Sequence, residues 1–307
     1  MKQKKIFYLL LLLSILLFCI FYNSKEGFLD TNYEKTIYLI WRNKIENSGT
    51  NYGFGDKIRG AISIYQYCKN NKINLKIDAT DDICSEFLKN IVSPDYEIIK
   101  DKELIILGHW MKLGEIDEEI KSQLETKNTV YLFSNSWPIQ DLDDDDKQFA
   151  KFVCEPKENI TNEINDKLKK LPKNFGIQHF RFNDSIFEND INLNNRLFIK
   201  YFNLLVENNK PTNVLFTNSN NFKKFSKEQL NIKTIDCGDD LCKVAHIGES
   251  SVKESVKNSF VEFLILSKAK YIKSYNSYNW PSNFVYWPAL IYDVPFENVY
   301  IDEQNII

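Results

Sequence analysis

Residues 35–69 read KTIYLIWRNKIENSGTNYGFGDKIRGAISIYQYCK, and this stretch gives the clearest indication of the fold. Its first seven residues, 35–41, form an apolar run with the length of a buried strand. The glycine-bearing loop 51–60 then runs into residues 57–69, where apolar side chains recur with the period of a helix. A strand that passes through a glycine loop into a helix predicts an α/β sheet.

The same alternation of strands and helices continues along the chain. Further strands are predicted at 73–77, 104–107, 130–133, 175–179, 214–217, 233–235 and 271–273. Further helices are predicted at 83–91, 194–206, 221–230, 251–266 and 282–291.

A polar, lysine-rich segment at 159–173 indicates a crossover in the middle of the chain. We therefore expect two α/β halves, 35–170 on the acceptor side and 171–307 on the nucleotide-sugar side, with a cleft between them. A single doubly wound sheet is the alternative architecture.

The N-terminus carries an uncharged apolar segment, residues 6–22, at the short end of what spans a bilayer. Three lysines precede it, which favours a cytosolic tail (1–5) and a type II orientation. A polar stem (23–34) then leads to a body in the lumen of the Golgi or the endoplasmic reticulum. A cleaved signal peptide is the alternative, although no small-x-small cleavage pattern follows the apolar run.

The composition restricts the ligands that the chain can bind. Its 39 basic and 42 acidic residues give a net charge of −3, so we expect no broad attraction to nucleic acid. The cysteines show neither CxxC pairs nor histidines at zinc spacing, so a cysteine metal site is not expected. For Cys237 and Cys242, a disulfide and buried thiols remain as alternatives.

The first candidate site is the glycine loop, where Gly53, Gly55 and Arg59 lie at the start of a predicted helix. Glycines allow close approach of the backbone, and a helix N-terminus offers N–H groups to an anion. The spacing is neither that of a dinucleotide fold nor that of a P-loop. A tight turn without a ligand is the alternative.

The second candidate site is the stretch His179-Phe-Arg181-Phe-Asn-Asp184, at the C-terminal end of the strand that opens the second half. Ligands of open α/β sheets bind at that edge. The planar guanidinium of Arg181 suits a diphosphate leaving group, whose developing charge it would stabilise. The alternative is a strand end closed by an Arg–Asp pair.

The third candidate site runs from His246 to Phe284. It includes Glu262 on a predicted helix and ends in a loop rich in hydroxyl, amide and aromatic side chains. Ser and Asn side chains at a helix start suit phosphate and ribose, and aromatic rings can stack on a base or a sugar. The alternative is an ordinary turn in which Trp280 faces the core.

Taken together, these segments resemble the fucosyltransferase superfamily, which includes the α1,2-, α1,6- and protein O-fucosyltransferases. The glycine loop, the His-x-Arg-x-x-Asp stretch 179–184 and the segment 266–284 carry the resemblance. The last segment has the form Leu-Ser-x-Ala-x-x-x-x-Ser … Trp-x-Ser-x-Phe. The match follows motif order from residue 38 onward, but 81–170 is unmatched. The usual Arg/Gly neighbours in the second motif are replaced by Phe182 and Asn183.

The resemblance implies a GT-B fold, GDP-fucose as the donor substrate, no cofactor or metal ion, and inversion at the sugar carbon. It implies that Arg181 grips the β-phosphate and that His179 shapes the same pocket. The other implied donor contacts are Ser277, Tyr278 and Ser282 at the phosphates, Asn218 and Glu262 near the guanine or ribose, and His246 and Asp184.

A base that accepts the proton of the acceptor hydroxyl would complete the mechanism. Asp56 in the glycine loop is our candidate, with Asp184 and Glu249 as alternatives. The acidic run 141–146 offers an Asp-x-Asp pair like the metal site of the GT-A fold. No buried strand end precedes the run closely, so we interpret it as an exposed loop.

The sequence thus predicts a membrane-anchored glycosyltransferase that acts on a glycan or glycoprotein and not on nucleic acid. Two alternatives remain. One is a transferase of another nucleotide sugar on the same scaffold, and the other is a non-catalytic glycan-binding relative.

Overall fold

The computed structural model describes residues 33–42, 53–108, 113–187, 189–238, 240–247 and 252–302. Within these residues, no helix is both long enough and apolar enough to cross a membrane. The predicted tail and anchor and most of the stem, residues 1–32, lie outside the described residues.

The N-terminal sheet has four strands, and every neighbouring pair is parallel. They are β1 (Thr36–Ile40), β2 (Asn74–Asp78), β3 (Ile105–Leu107) and β4 (Thr129–Ser134), in the order β2-β1-β4-β3. The helices between them are α1 (Phe54–Asn71), α2 (Tyr96–Ile99) and α3 (Leu113–Thr126). Four of the five β1 residues are buried, as expected for a parallel strand, whose sequence is a continuous apolar run.

Two helices, α4 (Asp144–Val153) and α5 (Glu158–Lys170), follow the first sheet in the chain. The second sheet is also entirely parallel. Its strands are β5 (Gly176–Arg181), β6 (Asn213–Thr217), β9 (Tyr271–Asn276) and β10 (Phe296–Tyr300), in the order β10-β9-β5-β6. Two separate parallel sheets confirm the expected α/β class, and the single doubly wound sheet is wrong.

The remaining elements of the second half are helices and one short hairpin. The helices are α6 (Arg196–Asn208), α7 (Asn220–Leu230), α8 (Lys253–Leu266) and α9 (Asn283–Ile291). The antiparallel hairpin pairs β7 (Asp236–Cys237) with β8 (Asp240–Leu241). A disulfide between Cys237 and Cys242 closes this hairpin, whereas Cys68, Cys84 and Cys154 are buried thiols.

Helix α1 belongs to the first half but packs on the second. The ring of Phe54 lies 5.0 Å from Phe260 and 4.7 Å from Phe263 of α8, centroid to centroid. A Cβ on Gly55 would lie 2.6 Å from the carbonyl oxygen of Asn283 in α9. Only glycine permits this approach of two helices, so the glycine loop joins the two halves.

Three sequence-based expectations need correction. The acidic run is not an exposed loop throughout, because α4 begins inside it. Asp143 caps that helix by accepting the N–H of Asp146 at 2.8 Å, and the buried Asp146 carboxylate accepts the N–H of Asp143 in return. Carboxylates at a helix start also complement the helix dipole.

The other two corrections concern elements that end early. The helix expected at 83–91 is a 3-10 turn at Ile83–Glu86, because Leu88 leaves it to pair with Pro156. The strand expected at 233–235 reduces to one bridge between Lys233 and Val214, after which the chain turns into the β7–β8 hairpin.

Candidate active site

A cavity of about 310 Å³ lies where β5, β6 and β9 end and where α1 and α9 begin. This is the edge at which open α/β sheets bind ligands. The lining residues come from four groups: 53–56 of the glycine loop; His179, Arg181, Thr217 and Asn218 at the strand ends; 244–247 with Ser259 and Glu262; and Tyr278 with 280–284. Each of the three candidate sites therefore contributes to one cavity.

Arg181 is the last residue of β5 and lines this cavity. Side chains hold the backbone at Arg181 and at the next residue. The Tyr201 hydroxyl donates to the carbonyl of Arg181 at 2.9 Å, and the Asn218 amide exchanges two hydrogen bonds with the backbone of Phe182, at 2.9 and 3.1 Å. These hydrogen bonds therefore fix the backbone from which the Arg181 side chain extends. The side chain of Asp184 lies outside the described residues.

His179 sits below Arg181 in the same strand and is 2% exposed. Its Nδ1 lies 2.9 Å from the Ser274 hydroxyl of β9. Burial, with a smaller contribution from the Arg181 charge, lowers the pKa of His179 to about 3. The imidazole is therefore neutral at physiological pH, so it adds no positive charge beside Arg181.

Two helix N-termini open onto the cavity. Gly53, which has no side chain, caps α1. Ser282 caps α9, and its hydroxyl makes no capping hydrogen bond to that helix within the described residues. The positive ends of both helix dipoles meet the cavity that Arg181 lines. Main-chain N–H groups, dipoles and a guanidinium together suit a ligand with a phosphate or diphosphate group.

Asp56 lies in the first turn of α1 and lines the cavity. Its Oδ1 accepts a hydrogen bond from the Asn283 amide at 2.8 Å and lies 3.0 Å from the Arg59 guanidinium. Its Oδ2 lies beside Gly53, 3.5 Å from where a Cβ would be. Asn283 and Arg59 thus hold Oδ1 of the carboxylate, and Oδ2 lies next to the glycine loop.

Arg59 is not among the residues that line the cavity, although the sequence motif includes it. It is 3% exposed, its Nε donates to the carbonyl of Asn135 at 2.7 Å, and its guanidinium lies 4.6 Å from the Trp137 ring centroid. Ser277 also lies outside the lining residues. Arg59 can therefore orient the Asp56 carboxylate from outside the cavity lining.

His246 lies beside Gly53. A Cβ on that glycine would lie 3.3 Å from the His246 Nε2 and 3.5 Å from the Asp56 Oδ2. The imidazole and the carboxylate therefore both border the glycine loop. Glu249, an alternative base, lies outside the described residues.

Residues 243–247 form a wall that is anchored by its backbone. The Asn220 amide exchanges hydrogen bonds with the main chain of Val244, at 3.1 and 3.4 Å. The Ser259 hydroxyl does the same with Ala245, at 2.9 and 2.7 Å, and Asn258 donates to the carbonyl of Lys243 at 2.9 Å. Helices α7 and α8 thus fix this wall, although it has no regular secondary structure.

Glu262 lines the cavity from α8 and pairs with Lys223 of α7 at 2.6 Å, both side chains being almost fully buried. Burial raises the pKa of Glu262, and the attraction of Lys223 opposes that rise. Lys223 also donates to the carbonyl of Cys242 at 3.3 Å, just before the wall. The sequence does not single out Lys223, because nothing distinguishes it from the other lysines of α7.

The loop after β9 brings aromatic rings to the cavity. Tyr278 lines it, and its ring stacks on Trp280 with centroids 5.6 Å apart and planes at 16°. Trp280 is 60% exposed, so the alternative in which it faces the core is wrong. Ser282, at the start of α9, completes this side.

The acidic run lies outside the cavity lining and is used structurally. Lys69 pairs with Asp143 at 3.0 Å and with Asp146 at 2.8 Å, and the Tyr65 hydroxyl donates to Asp145 at 2.8 Å. In the part of the chain that the structure describes, no cluster of His, Cys, Asp and Glu is arranged to hold a metal ion.

No protein-family model matches the chain, and no curated protein matches its sequence. Solved structures do match. NodZ α-1,6-fucosyltransferase soaked with GDP-fucose aligns at 13% identity with a TM-score of 0.55, covering 89% of this chain and 97% of that chain. Fucosyltransferase NodZ from Bradyrhizobium aligns at 12% identity with a TM-score of 0.52, covering 88% and 97%.

A plant structure matches similarly. A variant of Arabidopsis thaliana FUT1 in complex with GDP aligns at 8% identity with a TM-score of 0.56, covering 92% of this chain and 75% of that chain. At such low identities the similarity establishes architecture. The chain therefore has the GT-B-like α/β fold of the fucosyltransferase structures, as its sequence motifs predicted.

Proposed function

We propose that this protein is an inverting glycosyltransferase that moves fucose from GDP-fucose to a hydroxyl group of a glycan or glycoprotein. The observation that carries the proposal is Arg181, which lines a cavity onto which two helix N-termini open. The matching structures with GDP or GDP-fucose bound support guanosine diphosphate as the leaving group.

The chemistry follows from the charges of the site. When the bond between the sugar carbon and the diphosphate oxygen breaks, negative charge grows on the diphosphate. Arg181 and the N-termini of α1 and α9 stabilise that charge in the transition state. These groups supply positive charge of the kind that a divalent cation provides elsewhere, and we propose that no metal ion is required.

The acceptor hydroxyl attacks the sugar carbon from the face opposite the leaving group, which inverts its configuration. We propose that Asp56 takes the hydroxyl proton, while Asn283 and Arg59 orient its carboxylate through Oδ1. The ribose and guanine would be hydrogen-bonded by a second group of cavity residues. These are Asn218, Glu262 and the anchored wall.

Titration of the full-length protein with GDP, UDP and ADP tests the donor. We expect GDP to bind best, and Arg181→Ala to weaken binding by about 1.5–3 kcal/mol, roughly 10- to 150-fold, because a charge-assisted contact is lost. Arg196→Ala is the matched control, since this exposed arginine of α6 lies outside the cavity lining.

Two results would change the proposal. A preference for UDP would replace the donor, and unchanged GDP binding in Arg181→Ala would remove the basis of the site. GDP binding without any release of fucose from GDP-fucose would favour the non-catalytic, glycan-binding alternative.

We also propose that residues 6–22 anchor the protein in a membrane of the secretory pathway, with the catalytic body in the lumen of the Golgi or endoplasmic reticulum. The apolar run and the lysines before it support this. In sealed microsomes, added protease should leave the body intact. Digestion without detergent, or a mature protein that lacks residues 1–22, would contradict the anchored orientation.

A further inference from the structure

Trp280 has the most exposed aromatic side chain of the described residues, at 60%. One face of its indole lies against Tyr278, with the two rings nearly parallel. An indole left in water at the rim of a cavity is an apolar surface available to a ligand.

The position of this aromatic pair is fixed from both sides. The N–H of Tyr278 donates to the side-chain oxygen of Asn276 at 2.9 Å. Asn276 is fully buried, and its amide donates to Asn298 of β10 at 2.6 Å. After Trp280, Pro281 and Ser282 lead directly into α9. A ring held in this way loses little conformational freedom when a ligand packs on it.

Strand order places the pair on one flank of the candidate diphosphate site. Strand β5, which ends in Arg181, lies between β9 and β6. The loop after β9 carries Tyr278 and Trp280, whereas Asn218 follows β6, and the anchored wall runs from its contact with Asn220 to the glycine loop, where His246 lies beside Gly53. The polar flank suits a nucleoside, because it offers amide, carboxylate and main-chain groups. The aromatic flank offers mainly ring faces.

The aromatic flank is also the flank of the candidate base. Asp56 hydrogen-bonds to Asn283, which follows Trp280 by three residues. A ligand that packs on Trp280 therefore lies at the end of the cavity where α9 begins, and Asn283 at that helix start holds Asp56.

We propose that Trp280, backed by Tyr278, is the platform on which a pyranose ring of the acceptor stacks, so the acceptor is an oligosaccharide. This inference rests on the proposed transferase function and specifies its second substrate. The C–H groups on one face of a pyranose carry partial positive charge, and the face of an indole is negative, so the two surfaces attract each other. A serine or threonine side chain offers no comparable flat surface.

The test compares wild type with Trp280→Ala and Trp280→Phe in the full-length protein. Transfer of radiolabelled fucose from GDP-fucose is measured on an array that contains neutral oligosaccharides, among them chitotetraose and lactose, beside Ser- and Thr-containing peptides. We expect wild type to label oligosaccharides. Trp280→Ala should raise the acceptor KM at least tenfold, and Trp280→Phe should keep most of the affinity.

Affinities for GDP and GDP-fucose, measured by calorimetry, should be unchanged in both variants. Tyr300→Ala is the matched control, because this exposed aromatic of β10 lies outside the cavity lining and should leave acceptor KM unchanged. Because Trp280 is so exposed, the melting temperature should also stay the same.

The platform is ruled out by an unchanged acceptor KM in Trp280→Ala, by weaker GDP or GDP-fucose binding in that variant, or by wild type that labels peptides alone. Wild type that binds no GDP would instead overturn the proposed function, and the platform with it. GDP binding of wild type therefore separates the two failures.

Discussion

The buried pair of Lys223 and Glu262 permits a sharp test of how the cavity floor is built. Both side chains are at most 2% exposed, and their charged atoms lie 2.6 Å apart. Lys223→Met leaves the Glu262 carboxylate buried without its counter-charge. Removing one partner of a buried ion pair typically costs about 3–5 kcal/mol. We expect the free energy of unfolding at pH 7 to fall by that amount.

The loss should depend on pH. Burial raises the pKa of Glu262 above its usual value of 4.5, so the folded state binds this proton more tightly than the unfolded state does. Stability contributed by such a group is present at low pH and is lost as the pH rises from 4.5 to the folded-state pKa. Without Lys223, which opposes the rise, that interval widens. Lys223→Met should therefore be destabilised more at pH 8 than at pH 5.

Urea unfolding, followed by circular dichroism at both pH values, measures these differences. The double variant Lys223→Met/Glu262→Gln is the control, since it removes both charges and should recover part of the lost stability. A single variant as stable as wild type, or a loss that is equal at pH 5 and pH 8, would refute the assignment of a buried ion pair. GDP affinity, measured on the same samples, shows whether the pair also supports nucleotide binding.

Three further outcomes are expected. Arg59→Met should lower kcat about tenfold or more while GDP affinity stays within about twofold, because Arg59 orients Asp56 from outside the cavity lining. Equal losses in kcat and in GDP affinity would instead indicate that Arg59 contacts the donor substrate. An NMR titration should show the His179 imidazole neutral from pH 5 to pH 8, since burial lowers its pKa to about 3, and a titration near pH 6.5 would contradict this burial. Gly60→Ala should destabilise the fold by about 3 kcal/mol or more in thermal denaturation, because the new Cβ would lie 1.7 Å from the Ser134 carbonyl oxygen; an unchanged melting temperature would show that the two segments are not in contact.

Much of the architecture follows from sequence patterns that act locally. The apolar run of β1 and the helical period of apolar residues in α1 indicate which side chains are buried. Both elements are therefore predicted within a few residues of their observed bounds. Arg181 was predicted to face a ligand site because it follows a buried strand, and parallel strands end at one edge. In the structure, Arg181 is among the residues that line the cavity at that edge.

Other features depend on contacts between distant parts of the chain, which one sequence does not reveal. The close approach of Gly60 to Ser134 turns that face of α1 toward the segment after β4. Arg59 therefore packs on Trp137 and leaves the cavity lining, although it stands in the glycine motif. The pairing of Lys223 with Glu262 spans two helices, and neither helix sequence indicates it.

The acidic run shows a different difficulty. Six residues with five carboxylates suggested a solvated loop, yet Asp143 and Asp146 start a helix through reciprocal hydrogen bonds. Lys69 of α1 lies among three of these carboxylates and offsets their repulsion. That lysine is far away in the sequence, so the charge pattern by itself was misleading.

The contact of α1 with α8 and α9 bears on how the catalytic geometry arises. Phe54 is inserted between aromatic rings of the opposite half, and the backbones of Gly55 and Asn283 are in contact. Asp56 and Arg181, which come from different halves of the chain, are therefore connected through packed helices rather than through a hinge. We expect the distance between Asp56 and Arg181 to be fixed when the chain folds. Substrate binding would then need only side-chain and loop adjustments.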